Sequence, residues 1–412
     1  MNGDDTRKRI LFLTPQLPYP PEQGTAIRNY NIIANVAQRH EIHLLSFVSS
    51  PAALKAAAPL HSLCCTLESV PAPKRTIWQR LSLLATPWPD IAHRLASPLF
   101  SERLAMMLST HDFDVLQVEG LEMAPYGYQA LARRQNHRPL LVFDAHNAEY
   151  LLQHRIAKID WHTAWRWPGA LYSTVQWLKL RRYEGDFCHR VDAVVAVSDA
   201  DAQALARLVP GLKPLVLPNG VDIAYYQAPD IVPAALGPEA LVFTGKMDFR
   251  PNVDAVLWFA NEVLPLIRER APQARFYIVG KNPHARLDVL RERPEVVVTG
   301  YVEDVRPYIA AAAVYVVPMR TGGGTRLKVL EAMAMGKAIV STTLGCEGVY
   351  LQNGYEALLA DTPRDFADAV LALLANGPRR AELGQAAAFF VAEHYDWRRL
   401  VPRLEQVYEG DP

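Results

Sequence analysis

Residues 322–336, GGGTRLKVLEAMAMG, place a glycine-rich turn directly before a helical pattern. We predict that Thr325 caps this helix, which runs from Arg326 to about Met335. Arg326 and Lys328 then fall in the first helical turn, where a cation is mildly disfavoured unless an anion neutralises it. Free backbone amides and the helix dipole attract an anion as well, so the pattern suits a nucleotide diphosphate. A plain tight turn with two solvated cations is the alternative. The amides predicted to contact the ligand are those of Gly322, Gly323, Gly324 and Thr325.

A second cationic loop follows the apolar strand predicted at residues 241–243. Lys246 and Arg250 lie just past the carboxyl end of this strand, where a pyrophosphate would bind. Two cations here and the amides of the glycine turn could together neutralise a leaving diphosphate without a metal ion. Each group taken separately is also compatible with an ordinary surface charge.

The nucleoside part of such a ligand has two candidate partners. Glu331 lies about 1.5 turns into the helix after the glycine turn, so its carboxylate could accept two hydrogen bonds from a ribose diol. Tyr301 and Val302 follow the strand predicted at residues 296–298, and their main chain could contact the edge of a base. A glutamate on the helix surface and an ordinary strand exit are the alternatives.

In the first half of the chain, Gly24 ends a proline-rich loop and precedes a helix with Arg28 in its first turn. The amides near Gly24 are predicted to face an acceptor, although a simple helix-entry turn fits the pattern equally well. His146, followed by Asn147, comes just after the strand predicted at residues 140–143. It is a candidate catalytic group on the acceptor side, although a lone histidine is more often structural.

Metal and redox chemistry are not indicated. Residues 198–201, Ser-Asp-Ala-Asp, have the spacing of an acidic metal motif, but a helix cap with an acidic first turn accounts for them. The four cysteines show no CxxC spacing and no histidine at zinc-finger distance, which fits a reducing compartment. We therefore expect no metal and no required cofactor.

Short apolar runs alternate with helical patterns along most of the chain, which is typical of parallel sheets covered on both faces. The predicted fold class is α/β, with two doubly wound, Rossmann-like domains. Such sheets bind ligands at the carboxyl ends of their strands, so two facing domains would leave a cleft for a donor and an acceptor. The strands are predicted at residues 10–13, 42–47, 115–118, 140–143, 193–197 and 215–217, and at 241–243, 276–279, 296–298, 314–317, 338–340 and 357–359.

The domain boundary is predicted at residue 218, where a Pro-Asn-Gly turn precedes a loose stretch at residues 227–238. The two predicted domains are residues 1–218, which bind the acceptor, and residues 219–394, which bind the donor. Residues 395–412 are expected to form a helix that crosses back onto the first domain.

Composition limits the class of protein. A length of 412 residues suggests two domains, and 50% hydrophobic with 21% charged residues is ordinary for a globular protein. A net charge of zero gives no overall field that favours nucleic acid. No segment reaches the roughly 18 apolar residues of a membrane span, so we expect a cytoplasmic protein.

Together these motifs resemble the retaining GT-B glycosyltransferases of family four over nearly the whole chain. The resemblance implies that Lys246, and Arg250 in an analogous role, contact the donor diphosphate, that Glu331 binds the ribose, and that His146 approaches the sugar from the acceptor side. It is carried by the glycine loop at Gly24 and by VDAVVAVSDADAQAL, LVLPNGVDIAYY, FTGKMDFRPN, VVVTGYVEDVRPYIAAAAVYVVPMRTGGGTRLKVLEAMAMGKAIVST and HYDW.

One position departs from the family pattern. Gly323 stands where the family usually has the first glutamate of a Glu-x7-Glu pair, a carboxylate that touches hydroxyls of the transferred sugar. Its absence implies that backbone amides, or Arg326 and Lys328, take over this contact. Within the family, YPPEQGTAIRNYN, DAHNAEY and GGGTRLKVLEAMA are most similar to bacterial sugar transferases encoded with exopolysaccharide and exosortase systems.

The activity that the resemblance implies is transfer of a hexosyl unit from a UDP-, GDP- or ADP-linked sugar to an acceptor hydroxyl, with retention. Stabilising the departing diphosphate and excluding water would supply most of the barrier reduction. A nucleotide-sugar epimerase is a rival, but it needs a pair of carboxylates around the sugar and Gly323 removes one. A non-catalytic nucleotide-binding scaffold is the other rival, although it has no need of leaving-group cations.

Two stretches, residues 74–100 and 155–184, mix tryptophan with arginine and lysine. A lipid-linked acceptor would make docking at a membrane interface useful, whereas helices that cover the core and an acceptor groove are the alternative. The expected partners are a nucleotide sugar, a glycan or lipid-linked acceptor and the inner face of the cytoplasmic membrane, with no nucleic acid.

Overall fold

The computed structural model of the protein describes residues 7–21, 24–132, 138–161, 167–322 and 326–410. They form two compact units. The first comprises the chain up to Pro218 together with the residues from Leu400 onwards, and the second comprises Asn219–Arg399. Each unit has its own sheet and its own hydrophobic core.

The first unit holds a seven-stranded sheet in which every pair of neighbouring strands is parallel. In chain order the strands are β1 (Arg9–Thr14), β2 (Glu41–Val48), β3 (Thr66–Pro71), β4 (Val115–Glu119), β5 (Leu140–Ala145), β6 (Ala193–Ala196) and β7 (Leu215–Val216). Their spatial order is β3-β2-β1-β4-β5-β6-β7, which reverses direction between β1 and β4. The helices before the boundary are α1 (Gly24–Val36), α2 (Pro51–Ala56), α3 (Ile77–Ser82), α4 (Asp90–Arg94), α5 (Pro98–Thr110), α6 (Ala124–Ala132), α7 (Glu149–Trp161), α8 (Trp167–Arg190) and α9 (Asp199–Leu208).

The second unit repeats this architecture with six parallel strands. They are β8 (Ala240–Thr244), β9 (Arg275–Val279), β10 (Val296–Gly300), β11 (Val314–Val317), β12 (Ile339–Ser341) and β13 (Leu358–Leu359), in the order β10-β9-β8-β11-β12-β13. Here the order reverses between β8 and β11. The helices are α10 (Ile223–Tyr226), α11 (Arg250–Trp258), α12 (Leu264–Arg268), α13 (Arg306–Ala311), α14 (Leu327–Ala334), α15 (Pro363–Ala375) and α16 (Gly377–His394).

The last helix, α17 (Trp397–Tyr408), starts in the second unit and ends in the first. Arg39 and Glu405 form an ion pair of 2.7 Å, and Arg403 donates to the carbonyl oxygen of Val216 at 2.9 Å. These contacts attach the end of α17 to the first unit. The α/β class with two doubly wound sheets and a returning helix is therefore confirmed.

Among the described residues, twelve of the thirteen strands were predicted, each within two residues of its observed ends, because a strand covered on both faces is a continuous apolar run. The strand that the pattern missed is β3, whose sequence TLESVP is polar and mostly half-buried. It lies at an edge of the sheet, where polar side chains and proline are tolerated.

Candidate active site

The carboxyl ends of β8 and β11 bring the two predicted phosphate-binding loops together. These strands are neighbours, with Val314 paired to Leu241 and Tyr315 to Val242. Because they are parallel, the loops that follow them leave from the same edge, at the point where the strand order reverses. One of these loops carries Lys246, and the other carries Gly322.

Lys246 and Arg250 are both exposed at this edge. The ammonium of Lys246 lies 3.8 Å from a carboxylate oxygen of Asp248, and both side chains are more than two-fifths exposed. Arg250 is the first residue of α11. An anion can therefore reach both cations without breaking a buried ion pair.

Lys328 connects the two loops from the inside. Its half-buried ammonium donates to Asn252 Oδ1 at 2.9 Å and lies 3.9 Å from the centroid of the Phe243 ring. Asn252 in turn donates to the carbonyl oxygen of Lys246 at 2.9 Å. Burial lowers the pKa of Lys328 to about 7, an effect that nearby Glu331 partly opposes. The alternative of a solvated cation is therefore wrong for this residue.

Arg326 differs from the sequence-based expectation in two ways. The helix α14 begins one residue later than predicted, so Arg326 occupies the cap position and no side-chain capping bond is formed. Its side chain is 7% exposed, donates weakly to the carbonyl oxygen of Thr321 at 3.5 Å, and lies 4.0 Å from Glu347. Burial lowers the pKa of this guanidinium. Arg326 is not a solvated surface cation either.

Glu331 lies on α14 and is half-buried. Burial raises the pKa of its carboxyl, while a hydrogen bond from the Tyr226 hydroxyl and the charge of Lys328 act in the opposite direction. The Tyr226 hydrogen bond and the charge of Lys328 therefore fix the carboxyl group near the middle of α14.

Glycines allow the close approach of these elements. A Cβ atom on Gly280 would lie 1.8 Å from the carbonyl oxygen of Gly245, and a Cβ on Gly245 would lie 2.8 Å from the ammonium of Lys328. Gly322 has φ of +98°, and a Cβ there would lie 3.2 Å from Pro251. Gly280 follows β9, so the loops after β8 and β9 pack too closely for a side chain there, and the positive φ of Gly322 favours glycine in the loop after β11.

The remaining predicted donor contacts are less defined. Tyr301 is 69% exposed after β10, and Val302 is half-buried against the core of the second unit. Contact of their main chain with a base stays a prediction. Three predicted residues of the glycine turn, Gly323, Gly324 and Thr325, lie outside the described residues.

On the acceptor side, His146 directly follows β5 and pairs with a buried carboxylate. Its Nε2 lies 2.9 Å from Glu119 Oε2, with the imidazole 14% exposed and Glu119 fully buried. Burial alone would lower the pKa of His146, but the hydrogen bond to Glu119 and the charge of Asp144 raise it above the ordinary value. The pair of His146 and Glu119 can therefore hold a proton, and the imidazole of this pair is partly exposed.

Arg28 lies behind this pair rather than facing solvent. It is 2% exposed, donates to both oxygens of Asp144 at 2.8 and 3.0 Å, and donates to the carbonyl oxygen of Leu217 at 2.9 Å. Arg28 was predicted on the acceptor side as a residue of the first turn of α1; its side chain instead supports Asp144, because these bonds direct it inward.

The other predicted acceptor-side residues are exposed. Gly24 begins α1, and a Cβ atom there would meet none of the described atoms within 4 Å. Asn147 donates to Glu149 at 3.2 Å near the start of α7. Their contact with an acceptor stays a prediction.

One cluster of metal-ligand type occurs among the described residues, with Glu119, Asp144 and His146 offering atoms within 4.8 Å of one another. Arg28 engages both oxygens of Asp144, and Glu119 accepts from Gln117 at 2.7 Å and from His146. The cluster is arranged around hydrogen bonds, which leaves its oxygens poorly placed for an ion. At residues 198–201 the predicted cap is confirmed, because the Ser198 hydroxyl accepts from the backbone amide of Asp201.

Sequence reasoning missed Glu119, Gln117, Asn252 and Tyr226. The first two residues could have been identified, since Gln117 and Glu119 alternate with apolar residues on a strand that is buried along its whole length. Polar side chains at alternate positions of a buried strand need partners, and this requirement points to a polar network.

Two protein-family models match the chain. Residues 22–225 match the model described as Glycosyltransferase Family 4, and residues 238–376 match the model described as Glycosyl transferases group 1.

Two curated relatives have partial matches. An uncharacterized 44.6 kDa protein in the cps region of Klebsiella pneumoniae is 23% identical over 168 residues, which cover 39% of this chain and 43% of that protein. A phosphatidyl-myo-inositol mannosyltransferase of Mycobacterium tuberculosis is 28% identical over 254 residues, which cover 58% of this chain and 65% of that protein. The chain thus spans about half the length of these relatives.

Solved structures match over almost the whole chain. Anabaena HepE in complex with UDP has a TM-score of 0.66 at 14% identity, covering 98% of this chain and 100% of that chain. The same protein in complex with UDP-glucose has a TM-score of 0.65 at 15% identity, with the same coverage of both chains. At these identities the similarity shows a shared fold. Among the helices of the described segments, none has the length and apolar character that crossing a bilayer requires.

Proposed function

We propose that this chain, which belongs to glycosyltransferase family 4 with a group 1 glycosyl transferase domain, transfers a hexosyl unit from a nucleotide-diphosphate sugar to an acceptor hydroxyl. The proposed transfer retains the configuration at the anomeric carbon. The observation that carries the proposal is the edge formed by the loops after β8 and β11. Lys246 and Arg250 are exposed there, and half-buried Lys328 is connected to the same loop through Asn252.

This edge suits a leaving diphosphate. Negative charge accumulates on the diphosphate as the glycosidic bond breaks, and cations fixed in advance stabilise that charge at little reorganisation cost. Lys328 adds a second property, since a lysine with a pKa near 7 gains a proton readily when an anion approaches. The donor is proposed to be UDP-, GDP- or ADP-linked, and the UDP complex of the similar HepE fold supports the first.

Glu331 is proposed to bind the ribose. Tyr226 and Lys328 fix its carboxylate, and a carboxylate with about four lone-pair sites retains capacity for two ribose hydroxyls. Tyr301 and Val302 are proposed to contact the base through their main chain.

The sugar contact that Gly323 cannot make is assigned to backbone amides. Of the two cations that could replace the missing carboxylate, Arg326 is buried and Lys328 is directed at Asn252. Neither orientation favours contact with sugar hydroxyls, so the amides after Gly322 are the better candidates.

His146 is proposed to approach the sugar from the acceptor side, held by Glu119. The acceptor is proposed to be a glycan or a lipid-linked saccharide in bacterial exopolysaccharide or cell-surface glycan synthesis. Similarity to a phosphatidyl-myo-inositol mannosyltransferase supports a lipid-linked acceptor. Exposed Trp78, Trp88 and Leu171 in the two tryptophan-containing stretches support peripheral contact with lipid.

Lys246→Ala tests the diphosphate site. We expect donor turnover, measured as release of nucleoside diphosphate, to fall about 10²- to 10³-fold, as for loss of one transition-state hydrogen-bond donor. The free energy of unfolding should change by less than about 0.5 kcal/mol, because the side chain is exposed. Arg270→Ala is the matched control, since Arg270 forms a surface ion pair with Asp368 elsewhere in the same unit. Near-normal turnover in Lys246→Ala would remove the assignment.

Glu331→Gln tests the nucleoside site by titration with UDP, GDP and ADP. Loss of charge-assisted hydrogen bonds to ribose should weaken binding of the preferred nucleotide about 10-fold or more. An unchanged affinity contradicts the ribose role.

Two incubations of the wild-type protein separate the rival functions. With donor alone, an epimerase forms a new sugar nucleotide. With donor and acceptor together, a non-catalytic scaffold leaves the donor intact.

A further inference from the structure

The end of α17 reaches into the hydrogen-bond network behind His146. Tyr408 is 2% exposed, and its hydroxyl donates to Gln117 Oε1. Gln117 Nε2 donates to Glu119 Oε1 at 2.7 Å, and the second oxygen of Glu119 lies 2.9 Å from His146 Nε2. Three contacts in series thus connect the C-terminal helix to the imidazole.

The chemistry of these groups gives the series a direction. The Tyr408 hydroxyl donates to the carbonyl oxygen of the Gln117 amide, so the NH₂ group of this amide faces Glu119. The Asn29 amide nitrogen, in the orientation that satisfies its neighbours, lies 2.8 Å from the other oxygen of Glu119. Burial and the charge of Asp144 raise the pKa of Glu119, whereas the two amide donors and His146 favour its ionised carboxylate, which then accepts from the Nε2–H of His146.

We propose that Tyr408 is a positioning residue for His146: by fixing the Gln117 amide, it keeps Glu119 as the acceptor for Nε2 and leaves Nδ1 as the nitrogen available to substrate. Gly120 lies on the Nδ1 side, with φ of +81°, and a Cβ atom there would approach Nδ1 to 3.4 Å. The consequence for turnover rests on the proposed function. The coupling between Tyr408 and the imidazole does not depend on the proposed function.

Tyr408 can be changed without undocking α17. Arg39 and Glu405 form one anchor, and Arg403 with the Val216 carbonyl forms another. Neither anchor shares a hydrogen bond with Gln117, Glu119 or His146, although the charge of Glu405 acts on the Tyr408 hydroxyl. In Tyr408→Phe the aromatic ring is retained, and with it the edge-on contact to His40 at 6.4 Å.

Other charged groups also act on His146, and Tyr408→Phe leaves all of them in place. Among the described residues they include Arg28 on α1, Glu119 on β4, Asp144 on β5 and Glu149 on α7, and Glu122 lies beside Gly120 on the Nδ1 side. A change in the titration of His146 in this variant therefore reports the series through Gln117.

The test is an NMR titration of His146 in protein labelled at histidine, with the signal assigned by its loss in His146→Gln. Without the hydroxyl, the Gln117 amide can turn its oxygen towards Glu119, which disfavours the carboxylate charge. We expect the pKa of His146 to fall by about half a unit to one unit in Tyr408→Phe. The limb of the pH–rate profile that reports His146 should move in the same direction.

Gln117→Leu removes the middle contact and should lower the pKa of His146 in the same way, which provides a second measurement if Tyr408→Phe folds poorly. Arg403→Ala is the matched control, since it loosens the same helix and should leave the titration unchanged. A folded Tyr408→Phe protein in which His146 titrates as in the wild type overturns the proposal. If the titration shifts but no glycosyl transfer occurs, only the proposed function fails.

Discussion

Lys328→Met removes the charge of the half-buried lysine while keeping an unbranched side chain of similar length. In the wild-type protein, burial is the main reason that the pKa of this lysine falls from 10.5 to about 7, with Glu331 raising it and Arg326 lowering it further. The folded protein therefore releases this proton near pH 7. The unfolded chain keeps it up to the ordinary pKa of a lysine.

The sign of the pH dependence follows directly. Between the two pKa values the unfolded chain binds more protons than the folded protein, so the free energy of unfolding rises with pH in this window. The slope has an upper limit of about 1.4 kcal/mol per pH unit for one group. From about pH 7.5 to about pH 9, the wild-type protein should therefore gain up to about 2 kcal/mol relative to Lys328→Met.

The assay is urea denaturation of both proteins at several pH values, with the difference between their unfolding free energies plotted against pH. Taking the difference cancels the contributions of tyrosines and cysteines that titrate in both proteins.

A second measurement uses calorimetric titration with UDP at about pH 8 in two buffers of different ionisation enthalpy. If a diphosphate binds beside Lys328, the wild-type protein takes up close to one proton on binding and the variant takes up fewer. Parallel stability curves would refute the assigned charge state, and equal proton uptake would refute its link to the ligand.

Two further perturbations test the packing of the donor loops and the exposed tryptophans. Gly280→Ala should lower the free energy of unfolding by about 1 to 3 kcal/mol, because its Cβ would overlap the backbone oxygen of Gly245. Gly237→Ala, where a Cβ meets no described atom within 4 Å, should change it by less than about 0.5 kcal/mol in the same denaturation assay. Trp78→Ala should reduce flotation of the protein with vesicles containing anionic lipid, since this ring is 80% exposed. Phe389→Ala, an exposed ring in the second unit, is the control, and an equal effect of both variants, or no flotation of the wild type, contradicts lipid contact at α3.

The strands could be predicted because a strand buried on both faces has a continuous run of apolar residues, as in VVAV and VYVV. The strand β3 left no such trace because it lies at an edge. Lys246 was predicted to bind the donor because it follows a strand end, and Glu331 because it lies on the helix after the glycine turn; that both contact one ligand stays a prediction. Whether their neighbours face inward could not be predicted from local pattern.

The orientation of Lys328 depends on Asn252, 76 residues earlier, and on the absence of a side chain at Gly245. The environment of His146 likewise depends on Glu119, 27 residues away. Contacts of this kind are set by the way strands and helices are brought together. A pattern of hydrophobicity carries no information about them, which is why the predicted role of Arg28 needed correction.

The bond between Tyr408 and Gln117 has a consequence for the order in which the protein is made. These residues are separated by 291 positions, so the ribosome must synthesise the entire second unit before Gln117 meets its tyrosine. Arg39 and Glu405 are separated by 366 positions, so their ion pair also forms only after the second unit has been synthesised. During translation, the nascent first unit therefore carries an incomplete polar interior until α17 has been synthesised.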